Sequence, residues 1–176
     1  MKFIARRPLG AIFLSAAAAL TISVPGQALA QEGPGLVAKT MGEGYWRVAV
    51  SPLSHHFRYS AEHRAVWAVG GEWQRSDDWL AGASYFSNSF GQPSAYLYVG
   101  KRWPKLFGQE QLFAQASGGL LYGYRGKYED KVPLNNNGFS PGALVGLGWQ
   151  FTKNFSVTAH MLGDAGVMFQ LSYDLR

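Results

Sequence analysis

The chain has 176 residues and no cysteine, is 47% hydrophobic but only 15% charged, and contains 22 glycines and 15% aromatic residues. This length predicts a single domain, and the absence of cysteine excludes a disulfide framework and a thiolate metal site. Low charge combined with many Gly, Tyr, Trp and Phe residues favours a β protein in contact with lipid over a soluble helical domain.

The N-terminus has the three parts of an export signal. A basic start over 1–7 precedes a mostly apolar stretch over 9–24 and a small-residue Ala-Leu-Ala sequence that ends at Ala30. We predict a signal peptide over 1–30 that is cleaved after Ala30; the alternative is an uncleaved membrane anchor. Cleavage removes three of the 16 basic residues and none of the 11 acidic ones, which leaves 13 against 11 and a net charge of +2. That charge gives no support to nucleic-acid binding.

The remaining chain divides into a periplasmic N-terminal segment over 31–44 and a barrel over 45–176. After Ala30 no stretch is long and apolar enough to form a membrane-spanning helix. Because every backbone polar group must be satisfied inside lipid, an exported chain that belongs in a membrane must then form a closed β-barrel.

Eight stretches show the period-two alternation of β-strands. The first is predicted over 45–51, where Pro52 ends or bends it, and a polar loop follows over 53–63. The other predicted strands span 64–74, the two arms of a hairpin over 79–103 that turns at Gly91-Gln-Pro-Ser94, and then 111–124, 139–151, 155–161 and 167–175. The last strand alternates most regularly, with Val167, Phe169, Leu171, Tyr173 and Leu175 facing one way and Gln170, Ser172 and Asp174 the other.

The fold class that follows is all-β: an eight-stranded antiparallel transmembrane β-barrel of the outer membrane. Short turns after strands two, four and six are expected in the periplasm, and longer connections after strands one, three and five outside. A soluble lipocalin-like barrel is the alternative, but aromatic residues near the strand ends on the apolar face favour a membrane girdle. With Tyr96 and Tyr98 facing inward, the interior is filled by side chains or holds one small ligand and is not a water channel.

Polar side chains that can do chemistry collect at the external mouth of this barrel. His55 and His56 follow the first strand, and Asn88 and Ser89 lie at the tip of the hairpin. A hydroxyl near an imidazole is the minimum for acyl transfer, since His accepts the proton as the hydroxyl attacks. Asn88 would orient a group or donate to an oxyanion. Ordinary solvated loop residues are the alternative.

Three stretches here are similar to one known family. They are Ser54-His-His-Phe-Arg-Tyr59, Phe86-Ser-Asn-Ser-Phe90 and the Gly-containing, Trp-ended strand over 95–103. They resemble the essential His with its aromatic and basic neighbours, the Asp-Ser pair, and the following strand of the lipid A palmitoyltransferase family (PagP) of Gram-negative outer membranes. The resemblance covers roughly 55–103 and departs from the family at Asn88, where the family has Asp.

The resemblance implies a monomeric enzyme without a cofactor that moves an acyl chain from a phospholipid to lipid A, the lipid part of lipopolysaccharide. It implies Ser89 and one of the two histidines as catalytic residues, with His55 preferred over His56 and with Asn88 in support. The acyl chain would enter the lumen, where small residues set its depth, and cations would contact lipid A phosphates. The implied substrate-binding residues are Gly82, Tyr96, Tyr98, Gly146, Gly148, Arg58 and Lys127.

Two other function classes stay open. One is a non-enzymatic outer-membrane barrel that binds or transports a lipid or small solute, and the other is a deacylase in which the same Ser and His deliver the acyl group to water. Four histidines without cysteine give no zinc spacing, so we expect no metal. His160, which faces inward among Ser and Thr, is interpreted as a hydrogen-bonded residue of the lumen.

Overall fold

A computed structural model describes residues 41–176. The predicted signal peptide, its cleavage site and most of the predicted N-terminal segment lie outside these residues. The described chain forms eight antiparallel strands that close into a barrel in sequence order, with β8 paired to β1. The strands are β1 (Gly44–His56), β2 (Trp67–Arg75), β3 (Trp79–Ser87), β4 (Pro93–Trp103), β5 (Leu112–Tyr122), β6 (Phe139–Gln150), β7 (Phe155–Met161) and β8 (Gly166–Leu175).

Two short 3₁₀ segments, Leu106–Gly108 and Gly126–Lys131, lie in the connections after β4 and β5. Within 41–176 no helix combines the length and the apolarity that a membrane crossing by a helix requires. The closed ring of eight antiparallel strands confirms the predicted fold class.

The two faces of the wall have opposite polarity. Large apolar side chains point outward and are 44–65% exposed: Trp46, Val48, Val50, Trp67, Val69, Leu97, Val99, Val145, Leu147, Tyr173 and Leu175. Polar and charged side chains point inward and are at most 4% exposed: Arg47, Glu72, Gln74, Gln115, Ser156, Thr158, His160, Ser172 and Asp174. An apolar exterior around a polar interior is the reverse of a soluble barrel, so this surface faces lipid.

Aromatic residues mark both ends of the apolar exterior. We call the end that holds Gly44 and Leu175 the terminal mouth and the opposite end the loop mouth. Outward aromatics near the terminal mouth are Trp46, Trp73, Trp79, Trp103 and Trp149, and those near the loop mouth are Trp67, Tyr85, Tyr122 and Phe139. Rings with one polar edge prefer the membrane–water interface, so these two girdles set the height of the lipid-facing band.

The first strand is longer than predicted. It continues through Pro52 to His56, and its register against β8 shifts between Val50 and Leu53. A bulge of this kind accommodates a proline, which cannot donate to the ladder, without ending the strand. The predicted loop over 53–63 is thus partly strand, and β2 begins at Trp67 instead of at position 64.

The predicted difference in length between the connections holds only in part. The loop mouth carries the longest ones, over 57–66 and 123–138, but the connection over 88–92 is shorter than the one over 104–111 at the terminal mouth. The reason is local: the side-chain oxygen of Asn88 accepts two backbone hydrogen bonds that close the first turn, whereas the second connection contains a 3₁₀ turn.

Candidate functional site

Charged side chains fill the lumen toward the terminal mouth. Arg47, which is 0% exposed, forms ion pairs with Glu72 at 2.8 Å and with Asp174 at 2.5 Å. It also donates to Gln74 at 3.0 Å, and Tyr98 donates to the second carboxylate oxygen of Glu72 at 3.0 Å. An Arg with two carboxylates and hydrogen bonds to their remaining oxygens is a stable way to bury charge, and it blocks passage through this half of the barrel.

A second buried Arg lies beside this network. The guanidinium of Arg102 stands 3.8 Å from the centroid of the Phe113 ring and donates to the amide oxygens of Gln115 and Gln150. Together with the Arg47 network it supports the expectation that the interior is filled by side chains and is not a water channel.

The middle of the lumen is polar and nearly full. A cavity of about 30 Å³ lies between Tyr96, Tyr98, Ser117 and His160, which is room for about two water molecules. His160 is 3% exposed, and neither of its ring nitrogens has a hydrogen-bond partner. His160 thus lies in the lumen as predicted, but the predicted hydrogen bonds to other side chains are not formed. The hydroxyls of Ser156 and Thr158, its inward neighbours on β7, have no partner either.

The glycines that the resemblance assigned to an acyl pocket are covered by neighbouring side chains. A Cβ on Gly82 would meet the hydroxyl of Tyr98 at 2.7 Å, one on Gly146 would meet Nδ1 of His160 at 2.8 Å, and one on Gly148 would run into the Phe113 ring. Large residues of adjacent strands thus occupy the space that each glycine leaves. These positions serve side-chain packing, and the structure gives no support to their measuring an acyl chain.

The loop mouth holds the other residues predicted to be functional. Inward-facing rings form what we call the mouth cluster: His56, His63, Phe90, Tyr124 and Tyr128. The His56 and His63 rings have centroids 4.3 Å apart, His63 meets the edge of Phe90 at 5.8 Å, and Phe90 stacks on Tyr128 at 4.2 Å. The loops over 57–66, 88–92 and 123–138 each contribute to it, so the cluster exists only when all three are folded.

The two histidines of the first motif point in opposite directions because they are neighbours on a strand. His55 is exposed on the outer face, where it contacts Phe57, while His56 joins the mouth cluster. The ring of His56 is hydrogen-bonded to the backbone of Ala165, and its Nε2 is buried with no partner. A ring held through one nitrogen with the other left as an acceptor has the form of a general base. The preference for His55 thus finds no support in the geometry.

The predicted Ser and Asn have different surroundings. Ser89 is half-buried, and its hydroxyl is hydrogen-bonded to Tyr124. Burial raises the pKa of the Tyr124 phenol, and the bond to Ser89 opposes this less strongly. Asn88 is 1% exposed, and its Oδ1 accepts the backbone N–H groups of Phe90 and Gln92 at 3.0 Å each. Its side-chain oxygen therefore closes the turn.

The cations assigned to phosphate contact are exposed at the same mouth. Arg58 lies 3.9 Å from Asp164, with both side chains more than four-fifths exposed. Lys127 pairs with Glu62 at 3.1 Å and stands 4.8 Å from the centre of the Tyr128 ring. Hydrogen bonds to Tyr128 and Glu62 raise the pKa of Lys127. Both cations are in weak, solvated pairs that an anionic ligand can displace.

The barrel wall is interrupted at two places on the side of the loop mouth. Pairing of β1 with β2 ends at Ser51 and Ala68, so the end of β1 over 52–56 is paired to β8 alone. Pairing of β6 with β7 ends at Val145 and Met161, so β6 over 139–144 is paired to β5 alone. We call these two unpaired edges the β1–β2 seam and the β6–β7 seam. Each contains one proline, Pro52 or Pro141, whose missing N–H leaves fewer donors to satisfy.

Sequence reasoning missed the Arg47 network and His63. The inward positions of Arg47, Glu72 and Asp174 are visible in the strand alternation, but their mutual contact depends on which strands are adjacent and in which register. His63 has no sequence signal of its own, because it reaches the lumen from an irregular loop.

No protein-family model matches the chain, and no curated protein matches it. The similarities found are to solved structures of small barrels. A designed transmembrane β-barrel aligns with a TM-score of 0.54 and 14% identity, over 76% of this chain and 97% of that one. Ail of Yersinia pestis aligns with a TM-score of 0.45 and 14% identity, over 76% of this chain and 100% of Ail. The N-terminal barrel of Pseudomonas aeruginosa OprF aligns with a TM-score of 0.42 and 16% identity, over 74% of this chain and 96% of that barrel.

At such identities the likeness concerns the fold. The fold and the apolar exterior define the class: a small eight-stranded β-barrel of the outer membrane, as the sequence predicted. The broader part of the family resemblance, an eight-stranded membrane barrel, thus agrees with the fold and with the likeness to the designed transmembrane barrel. No family model supports the finer part, the palmitoyltransferase family, which is carried by the motifs over 55–103 alone.

Proposed function

We propose that this protein is a lipid-binding barrel whose loop mouth holds the head group of an anionic lipid of the lipid A or phospholipid type. In this proposal the filled lumen transports no solute across the membrane. The observation that carries the proposal is the combination of a filled lumen with a mouth where unpaired strand edges, aromatic rings and displaceable cations meet. An unpaired edge in pure hydrocarbon is costly, so a polar head group or water at the seams would lower that cost.

The chemistry of the mouth suits an amphiphile with phosphate groups. Lys127 and Arg125 each lie over an aromatic ring, at 4.8 Å from Tyr128 and 5.5 Å from Tyr122. Cations supported by rings at the membrane interface can donate to phosphate oxygens while the rings stay at head-group level. Arg58 and Lys127, the two cations expected to contact phosphate, fit this role, since the lipid phosphate would replace their solvated partners Asp164 and Glu62.

Native mass spectrometry tests this proposal. The barrel is released from micelles that contain lipid A or phosphatidylcholine, and the fraction with bound lipid is measured. We expect the Arg125→Gln/Lys127→Gln variant to hold lipid A about a hundredfold less well, since the loss of each charge-assisted hydrogen bond weakens binding about tenfold. Lys105→Gln is the matched control, because Lys105 forms a similar exposed pair with Glu110 at the opposite mouth. Equal lipid A binding by both variants would refute the proposal.

Acyl transfer from phospholipid to lipid A is the second candidate, and the unpartnered Nε2 of His56 favours it. In this mechanism Nε2 takes the proton of the attacking hydroxyl, from Ser89 or from lipid A itself, as that oxygen bonds to the ester carbonyl of the phospholipid. The ester C–O bond then breaks, and the leaving lysophospholipid oxygen takes the proton back from the imidazolium. If Ser89 attacks first, a hydroxyl of lipid A displaces it from the acyl-enzyme in a second transfer of the same kind. The polar lumen argues against an acyl chain bound deep inside, so the chain would have to remain at a seam. Ser89 now donates to or accepts from Tyr124, so it would need to change partner for the reaction.

Mass spectrometry of lipid A from cells with the gene, without it, and with His56→Ala or Ser89→Ala separates the candidates. A mass gain of one acyl chain that His56→Ala abolishes would establish the acyltransferase. A mass loss that depends on the same residues would establish a deacylase. Unchanged lipid A, together with the binding result above, would leave the non-enzymatic barrel. His55→Ala is the control on the outer face and should leave any activity intact.

A further inference from the structure

The terminal mouth contains a cavity that the lipid-binding proposal does not use. It has a volume of about 330 Å³ and lies beneath the filled part of the lumen, at the opposite end from the mouth cluster. Its wall includes Arg102, Phe113, Gln150, Lys153, Arg176 and Asp78. It is large enough for a small solute, and its deepest charged group is Arg102.

Arg102 is buried without a counter-ion. It is 6% exposed, and among residues 41–176 no carboxylate lies within ion-pair distance of it. Its three side-chain hydrogen bonds go to neutral amides, two to Gln115 at 3.2 and 3.3 Å and one to Gln150 at 3.4 Å. A guanidinium has five N–H donors, so two of them remain. A buried charge with long bonds to neutral partners is costly unless an anion joins it.

The neighbouring Arg47 shows the contrast. It forms ion pairs with two carboxylates, Glu72 and Asp174, and Asp174 also pairs with Arg176 at 2.9 Å. The buried acids of this region are thus already engaged, which leaves none for Arg102. The same lumen therefore contains one neutralised guanidinium and one that lacks an anion.

Taken together, the charged groups that line the cavity are positive on balance. Arg75 is paired with Asp77, Glu110 with Lys105, and Arg176 with Asp174. Of the charged groups that line the cavity, Arg102, Lys153 and Asp78 have no ion pair within the described chain. These three give a net charge of one positive unit, so an anion entering from the terminal side meets an attractive field.

We propose that this cavity binds an oxyanion group, carboxylate or phosphate, of a small solute that enters from the terminal mouth, with Arg102 as the buried anchor and Lys153 at the rim. The N–H donors of a guanidinium lie in its plane, where a two-oxygen anion can accept two of them. The Phe113 ring covers one face of this plane and leaves its edge to the anion. Gln150 contacts Arg102 and lines the same wall, so it adjusts to the bound group.

The test uses the full barrel purified from membranes in detergent. Its unfolding temperature is measured against inorganic phosphate, acetate and chloride at constant ionic strength. A ligand that binds only the folded state raises this temperature in a concentration-dependent way. We expect a rise with phosphate, acetate or both, and none with chloride. In Arg102→Gln the apparent affinity should fall about tenfold or more, whereas Lys131→Gln, which removes a charge at the opposite mouth, should retain it.

Two further measurements test the proposal without requiring that the Arg102→Gln variant folds. Lys153→Gln at the rim should weaken anion binding by a smaller factor, and the side-chain amide signals of Gln115 and Gln150 should move in NMR spectra on titration with the anion. If only phosphate raises the unfolding temperature, the cavity binds a phosphate group; if only acetate does, it binds a carboxylate. Equal effects of all three salts, or an unchanged response in Lys153→Gln with static amide signals, would overturn the proposal.

Discussion

Removal of Arg47 is the most informative perturbation of the fold. Arg47→Met keeps the length of the side chain but leaves Glu72 and Asp174 buried without their common partner. Breaking a buried ion pair in this way typically costs about 3–5 kcal/mol, chiefly because a charge stays buried and uncompensated. Here Glu72 retains the hydroxyl of Tyr98 and Asp174 retains Arg176. We therefore expect a loss near the lower end, about 3 kcal/mol in the free energy of unfolding.

The assay is equilibrium unfolding in urea of the barrel in lipid vesicles. Arg58→Met is the matched control, because Arg58 forms its ion pair at 3.9 Å with both partners exposed, and its loss should have little effect. Adding Glu72→Gln and Asp174→Asn to Arg47→Met should restore most of the lost stability, since neither acid is then left charged and buried without Arg47. Arg176 loses Asp174 in this variant, but its side chain is 39% exposed and can be solvated. If Arg47→Met were no more destabilising than Arg58→Met, the network could not be the dry, mutually neutralised cluster that the distances describe.

Three further predictions concern the turn, the mouth and the lipid face. Asn88→Ala should cost about 1–3 kcal/mol by leaving two turn N–H groups without their acceptor, whereas Asn88→Asp should cost much less in the same urea unfolding. Because burial raises the pKa of Tyr124 above its ordinary 10.0, its contribution to stability is complete below pH 10 and declines above it; Tyr124→Phe should flatten this decline in unfolding curves measured from pH 8 to 12. Leu97→Lys, in the middle of the lipid-facing band, should destabilise the barrel by about 2–4 kcal/mol in vesicles, and a neutral effect would contradict the membrane orientation of β4.

Much of the candidate site was within reach of sequence reasoning, but its geometry was not. The sequence placed the residues of the first two motifs at one mouth of the barrel, and in the structure His56 and Ser89 do lie at the loop mouth. They could not distinguish His55 from His56, since that depends on whether β1 ends at Pro52 or continues past it. Nor could they show that Asn88 is occupied by its own turn, because Asn-containing loops have many conformations with the same sequence.

What the sequence determined by itself is the architecture. The period-two alternation assigns each strand residue to one face, and an apolar outer face with a polar inner one has a single low-energy arrangement in a membrane, a closed barrel. The eight strands, the outward Val, Leu and Trp residues and the inward Ser156, Thr158 and Asp174 followed from that pattern alone.

What only the tertiary structure decided is which inward residues meet. Arg47, Glu72 and Asp174 come from three strands far apart in sequence, and the mouth cluster combines three loops. Closure sets the register between β1 and β8 and thereby joins the first strand to the last. Contacts of that kind depend on the relative shift of strands, which alternation does not encode. The filled lumen, the seams and the cavity beside Arg102 are consequences of closure.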